Sequence, residues 1–440
     1  MMADENEEND KQFDEVGDRK TNDLDEDFLT LGDVDDESDE DEAKGETEEE
    51  NQNVNRTGDL PPWMTQYVDY RRTNHLVALH NEIVGFCRLM EPHDEEMKER
   101  KQLVDRFSDL VMSTFDGCKV QVFGSQATGL CLPTSDIDIS IQLSEEDTPK
   151  AEGGDGTEKD EKERLEITKE QEINDMKNWD KPSGSPLHRL AEALRENWMS
   201  ELSYLDVIEN TRVPLVKFTH GPTNISVDVC FNQQTGPQAA KLMHQYMDAL
   251  PPLRSLTFVL KYFMASRGLN QPYTGGVGSF MLQMMIVSFL QHRERFAYNT
   301  RSPSLYNLGA LLVEFLELYS MDFNYVTTGL SVRFDGFYFP KGASDRKNDF
   351  WQPQRPFSLA MENPLEISAD VGKPSFRISV VQRSFEVAFK VLLSHVTVPV
   401  IPAVSILASI LPPTEEMRKR AGAKTRSKPI EERPRKRQRH

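Results

Sequence analysis

The chain has 440 residues, 38% of them hydrophobic, with 73 acidic against 51 basic side chains and a net charge of −22. Four cysteines without a CxxC pair and nine histidines without HxxxH spacing argue against a bound zinc and against a disulfide scaffold. There is no N-terminal apolar region of the secretory kind, and the apolar stretches 275–290 and 396–411 are broken by Gln283 and by Pro399 and Pro402, where a bilayer needs about 20 apolar residues.

Charge divides the chain. Residues 1–60 hold 25 acidic and 5 basic side chains, too polar to offset the entropy of ordering, and read as a disordered acidic arm. Residues 61–115 predict two helices. The first runs from beyond Trp63 to about Met90, with Leu76, Leu79, Ile83, Val84, Cys87 and Leu89 as its buried stripe; the second is capped by Asp94 and has Glu95 and Glu96 in its first turn. Strands follow at 119–123 and 136–143. A second acidic stretch, 144–185, reads as an insertion in which 158–176 has helical potential. A helix at 187–198 and strands at 204–208, 213–219 and 225–231 complete a small mixed sheet. From Pro237 the pattern is helical, at 237–248, 253–267, 279–293 and 304–319, then a hairpin about Asp335-Gly336, then a helix within 374–395. Residues 415–440 carry a net +7 and read as a solvated tail, in which the run Arg433 to Arg439 has the form of a nuclear localisation signal. A sheet domain joined to a helical domain places the default ligand site in the cleft between them.

The stretch Asp136-Ile137-Asp138-Ile139-Ser140-Ile141 puts Asp136 and Asp138 on one strand face and the isoleucines on the other. Nothing basic lies within six residues to relieve the repulsion, so a divalent cation is expected to do so. Asp228, in Ile225 to Phe231, stands on the polar face of a later strand. If the strands are neighbours, three carboxylates meet as the oxygen ligand set of a two-metal phosphoryl-transfer site that selects Mg²⁺ or Mn²⁺. Gly124-Ser125 offers a tight turn and amides for phosphate oxygens.

Phe123-Gly124-Ser125 with Asp136-Ile137-Asp138 and Asp228 resembles the DNA polymerase β-like nucleotidyltransferase superfamily. With Arg212 to Phe218, Tyr273 to Phe280, Asn307 to Phe315 and Glu362 to Leu365, residues 61–395 resemble the nuclear non-canonical poly(A) polymerases of the topoisomerase-related-function family. The resemblance implies an α+β fold: a nucleotidyltransferase palm at 61–235 whose N-terminal helix contributes partly to the next domain, a helical poly(A)-polymerase-associated central domain at 236–395 with a nucleotide-recognition loop near 362–374, and a C-terminal segment at 396–440. It implies that Asp136, Asp138 and Asp228 bind two Mg²⁺ or Mn²⁺ ions, with Asp228 also a general base. Gly124, Ser125 and Lys261 would hold the triphosphate and Ser279 a phosphate, Phe280 would stack on the base, Gly236 would lie by the sugar, and Asn363 and Glu366 would read the base of ATP.

The implied activity is transfer of AMP from ATP to the 3′-hydroxyl of nuclear RNA, marking it for the exosome. The implied partners are a zinc-knuckle RNA-binding protein and an RNA helicase in a TRAMP-like complex, in the nucleus or nucleolus. No RNA-recognition module is visible, and a near-neutral core binds RNA phosphates weakly, so a partner fits that gap. Two alternatives stay open. One is a terminal uridylyltransferase, several of which place a histidine where this chain has Ala369; the other is a catalytically silent scaffold.

Overall fold

Five alternating segments build one mixed sheet in the order β1-β2-β5-β4-β3: β1 Lys119–Phe123, β2 Ile137–Gln142, β3 Leu202–Ile208, β4 Leu215–His220 and β5 Ile225–Phe231. Only the β2–β5 pairing is parallel. The computed structural model describes residues 60–66, 68–69, 72–144, 185–209, 211, 213–297, 306–342, 350–397 and 405–427. The acidic arm apart from Leu60, insertion residues 145–184, Arg212 and the run 433–439 lie outside them.

The sheet has two chemically distinct faces. Ile137, Ile139, Ile141, Val216, Phe218, Val227 and Val229 are buried. They pack on Leu103, Phe107 and Val111 of helix α2 (Asp94–Thr114), and on Leu190, Leu194 and Trp198 of the helix at Pro186–Trp198. Period-two alternation turns Asp138, Ser140, Lys217, Thr219, Ser226 and Asp228 to the opposite face. The apolar face thus anchors the polar one in register.

The second core is helical. It joins α1 (His75–Met90) to helices at Pro252–Ala265, Ser279–Ala297, Leu308–Glu317 and Ile378–Thr397. The first expected helix starts later than predicted, because the Asn74 Oδ1 caps Leu76 N at 2.9 Å and the Pro61-Pro62 segment turns instead. Asp94 is the first helical residue rather than the cap, and the Glu96 carboxylate reaches back to His93 N at 2.6 Å. The helix expected to reach residue 319 ends at Glu317 in a π turn, Leu318–Asp322. The hairpin is flanked by Thr328–Ser331 and Phe337–Pro340, and a short strand, Ala360–Met361, adds to it in parallel.

The solvated-tail expectation for 415–440 is corrected in its first half. Residues Glu415–Ser427 form a helix, and Arg420 donates to Leu89 O at 2.7 Å and to the Glu96 carboxylate. Just before it, buried Glu82 accepts from Ile406 N at 3.0 Å, Leu407 N at 3.1 Å and the Ser405 hydroxyl. A carboxylate buried in a core is tolerated because four donors, Trp63 Nε1 among them, satisfy it.

Candidate active site

The parallel register sets Asp138 directly opposite Asp228, and Asp136 immediately precedes the strand. The cation beside them is Lys217, the β4 residue opposite Asp228. Its Nζ lies 3.0 Å from Asp136 Oδ2 and 2.9 Å from Asp228 Oδ1. Nothing basic lies near Asp136 and Asp138 in sequence, but the fold brings an ammonium to Asp136 from a strand 81 residues along the chain and leaves Asp138 without an ion pair to it. Among the described residues no three carboxylate, imidazole or thiolate groups are gathered tightly enough to enclose a metal as they stand; two of the aspartates close on an ammonium instead.

The electrostatics point the same way. Burial, then the Asp228 and Asp136 charges, pushes the Asp138 carboxyl up to about 7. Burial also raises Asp228, against the pull of Lys217. Burial works against the Lys217 ammonium, but the two carboxylates outweigh it and hold its pKa above the ordinary lysine range. Three acids beside so little positive charge form a site that favours added cations, and an all-oxygen donor set suits hard divalent ions. Because the folded state holds the Asp138 proton more tightly than the unfolded chain does, its contribution to stability is fully present below pH 3.8 and is lost as pH rises through about 7. In EDTA, the unfolding midpoint of the wild type should therefore fall across that window relative to Asp138→Asn. Parallel pH profiles for the two proteins would contradict this.

Gly124 opens a short helix, α3 (Gly124–Thr128), with φ +65°. A Cβ on it would overlap the Asp138 carboxylate, so glycine is required there by the aspartate as well as by the turn. Ser125 is half-buried in the same turn, and its carbonyl accepts from Leu130 N at 3.0 Å. Gly236 is the second residue of the helix Thr235–Ala249, and the Phe123 ring fills the space of its missing side chain. A packing reason therefore accounts for that glycine.

Lys261 reaches from the helical part to the palm, donating to Leu130 O at 3.2 Å and Ser135 Oγ at 3.1 Å. Burial lowers its pKa, against the pull of negative charge that includes Asp138 and Asp136. The loop it touches is also gripped by Arg100, which the sequence did not single out. Arg100 is buried in α2 and donates to Pro133 O at 2.9 Å, Ser135 O at 2.7 Å and Gln126 Oε1 at 3.4 Å. The available signal was its place on the inward stripe with Leu103, Phe107 and Leu110, where a charged residue needs a reason.

Ser279 and Phe280 start the helix Ser279–Ala297, and Phe280 packs half-buried on the helical core. Asn363 closes its own turn: its N–H donates to Ala369 O at 3.0 Å and its Oδ1 accepts from Leu365 N at 3.0 Å. Glu366 is exposed and accepts from Ser368 Oγ at 3.3 Å. Two carboxylates absent from the expected set, buried Glu362 and half-buried Asp370, anchor this loop. Glu362 accepts from Ser331 Oγ at 2.5 Å, and Asp370, pushed up to about 6 by burial, accepts from Met361 N at 2.9 Å and Gly372 N at 2.8 Å.

Two family models match the chain: the central palm domain of mitochondrial-like poly(A) RNA polymerase over residues 79–248, and the Cid1 family poly A polymerase over 307–369. Poly(A) RNA polymerase cid14 of Schizosaccharomyces pombe is 32% identical over 76% of this chain and 43% of its own length. The inactive non-canonical poly(A) RNA polymerase protein Trf4-2 of Drosophila melanogaster is 30% identical over 74% of this chain and 72% of its own length. The solved polymerase core of TRAMP, a RNA surveillance complex, is 28% identical with a TM-score of 0.61, covering 80% of this chain and 99% of that one. The chain spans about half or less of the length of most curated relatives it matches. It belongs to the non-canonical poly(A) RNA polymerase family, with a polymerase β-like palm and a poly(A)-polymerase-associated domain.

Proposed function

We propose that this chain transfers AMP from ATP to the 3′-hydroxyl of nuclear RNA, adding short oligo(A) tails that mark the RNA for exosomal trimming or decay. The observation that carries the proposal is the alignment of Asp138 with Asp228 across two strands, with Asp136 sharing an ammonium with Asp228. Family membership alone does not decide activity, since one relative is itself described as inactive. A scaffold has no use for a left-handed glycine fitted against a half-buried, repelled carboxylate, and that favours an enzyme.

Asp136, Asp138 and Asp228 would hold two Mg²⁺ or Mn²⁺ ions, which supply Lewis-acid activation of the attacking oxygen and charge neutralisation on the leaving one. In the reaction the RNA 3′-oxygen forms a bond to the α-phosphorus, the bond from that phosphorus to the β-bridging oxygen breaks, and pyrophosphate departs. Asp228 accepts the hydroxyl proton. Lys261, reached by the field of Asp136 and Asp138, places a point charge on the triphosphate; the Gly124 turn, the Ser125 hydroxyl and Ser279 hold phosphate oxygens. Phe280 stacks on the base, Gly236 borders the sugar, and Asn363 with Glu366 reads the base edge.

The chain acts with a zinc-knuckle RNA-binding protein and an RNA helicase, in an RNA surveillance complex like TRAMP, whose polymerase core it resembles. The basic run 433–439 directs it to the nucleus. No described helix is long and apolar enough to cross a membrane. Extension of a 3′-hydroxyl RNA primer with each nucleotide in turn, with and without the zinc-knuckle partner, tests the proposal: adenylate incorporation above uridylate supports it, and uridylate preference points to the uridylyltransferase alternative. In the same assay Ala369→His should shift the ATP:UTP ratio toward UTP by about tenfold, the scale of one added pocket contact. An unchanged ratio would remove position 369 from base choice.

A further inference from the structure

Cross-strand register places four charged side chains in one row on the polar face of the sheet: Asp206 opposite Lys217, Lys217 opposite Asp228, and Asp228 opposite Asp138. Lys217 therefore has an acidic neighbour on each side, and adjacent strands are about 4.8 Å apart, so either is within reach of its flexible stem. It is turned toward Asp228 and Asp136. Asp206 is exposed on the edge strand and accepts a hydrogen bond from the Tyr204 hydroxyl at 3.1 Å.

The ammonium donates a hydrogen bond to Asp136 Oδ2 at 3.0 Å and lies 2.9 Å from Asp228 Oδ1, which it meets as an ion pair, so it stands at the oxygens that a hard divalent ion needs. A divalent ion on those oxygens would stand within a few ångströms of the ammonium, and the repulsion between the two positive charges opposes their joint occupancy. We propose that Lys217 is a built-in counter-cation of the metal-free site, which metal entry displaces and which Asp206, held by Tyr204, receives. This rests on the metal-binding role given above to the aspartates. Lys217 and Asp206 are then positioning residues that set the metal affinity: Lys217 opposes binding, and Asp206 lowers that opposition by offering the displaced ammonium a partner.

The test is Mn²⁺ titration of the full chain, with free Mn²⁺ followed by electron paramagnetic resonance and no nucleotide or RNA present. Lys217→Met, with Lys217→Gln as a polar second variant, should bind Mn²⁺ about tenfold more tightly than wild type, the scale of one ion pair removed from competition. Its unfolding midpoint in EDTA should fall, because the carboxylates lose their cation. Asp206→Asn should bind Mn²⁺ several-fold more weakly on the same scale, and that loss should vanish in the Lys217→Met background. Equal losses in both backgrounds would show that Asp206 acts on the metal through its charge alone and would overturn the transfer. Unchanged or weaker Mn²⁺ binding by both Lys217 variants would overturn the displacement. Absence of Mn²⁺ binding in wild type and every variant would instead overturn the metal-binding reading of the aspartates.

Discussion

Asp138→Asn should lower RNA 3′-end extension by on the order of 10³-fold, while leaving the metal-free protein at least as stable as wild type. The loss follows from the metal-holding role proposed for this carboxylate, which would contribute several kcal/mol at roughly tenfold per 1.4 kcal/mol. The retained stability follows from the fold: Asp138 is half-buried, faces Asp228 and Asp136, and has its pKa raised, so its charge is a burden in the absence of a cation. A residue kept at the expense of stability is the mark of function. Primer extension and thermal unfolding in EDTA check the two halves. A variant that loses activity only because it unfolds would contradict both.

Gly124→Ala should cost about 1–2 kcal/mol of stability for forcing a side chain into the left-handed region, and should lower activity by on the order of 10²-fold because a Cβ there displaces the Asp138 carboxylate. Gly129 supplies the control. It has φ +68° at the end of the same short helix, yet nothing lies within 4 Å of the place a Cβ would take. Gly129→Ala should therefore carry a similar strain and retain activity near wild type. Equal activity losses in the two variants, read by primer extension, would mean that the turn's conformation matters and its contact with Asp138 does not.

The strands were legible because alternation writes itself into the residues: Ile137, Ile139 and Ile141 went inward and Asp138 outward as period two requires. Helix spacing likewise marked the helical half, with ends shifted where a cap such as Asn74 or a π turn intervened. Cross-strand register is a tertiary fact. Lys217 sits in an ordinary strand, and only pairing with β5 brings it beside Asp228. The same holds for Arg100, one basic residue among Lys98 and Lys101 until the loop 133–135 closes over it. Glu82 was not singled out, because three of its four donors come from more than 320 positions later in the chain. The helix Glu415–Ser427 was hidden by its charge, since a basic run and a helix held by Arg420 share one composition.

On the function proposed here, Asp136, Asp138 and Asp228 form a cage for divalent cations beside a nucleoside triphosphate. Anomalous diffraction at the manganese edge, from crystals of the chain grown with Mn²⁺ and a non-hydrolysable ATP analogue, tests it most directly. Manganese peaks bonded to those three carboxylates and to the triphosphate are the predicted result. A bound nucleotide with no manganese on Asp138 or Asp228 would contradict it.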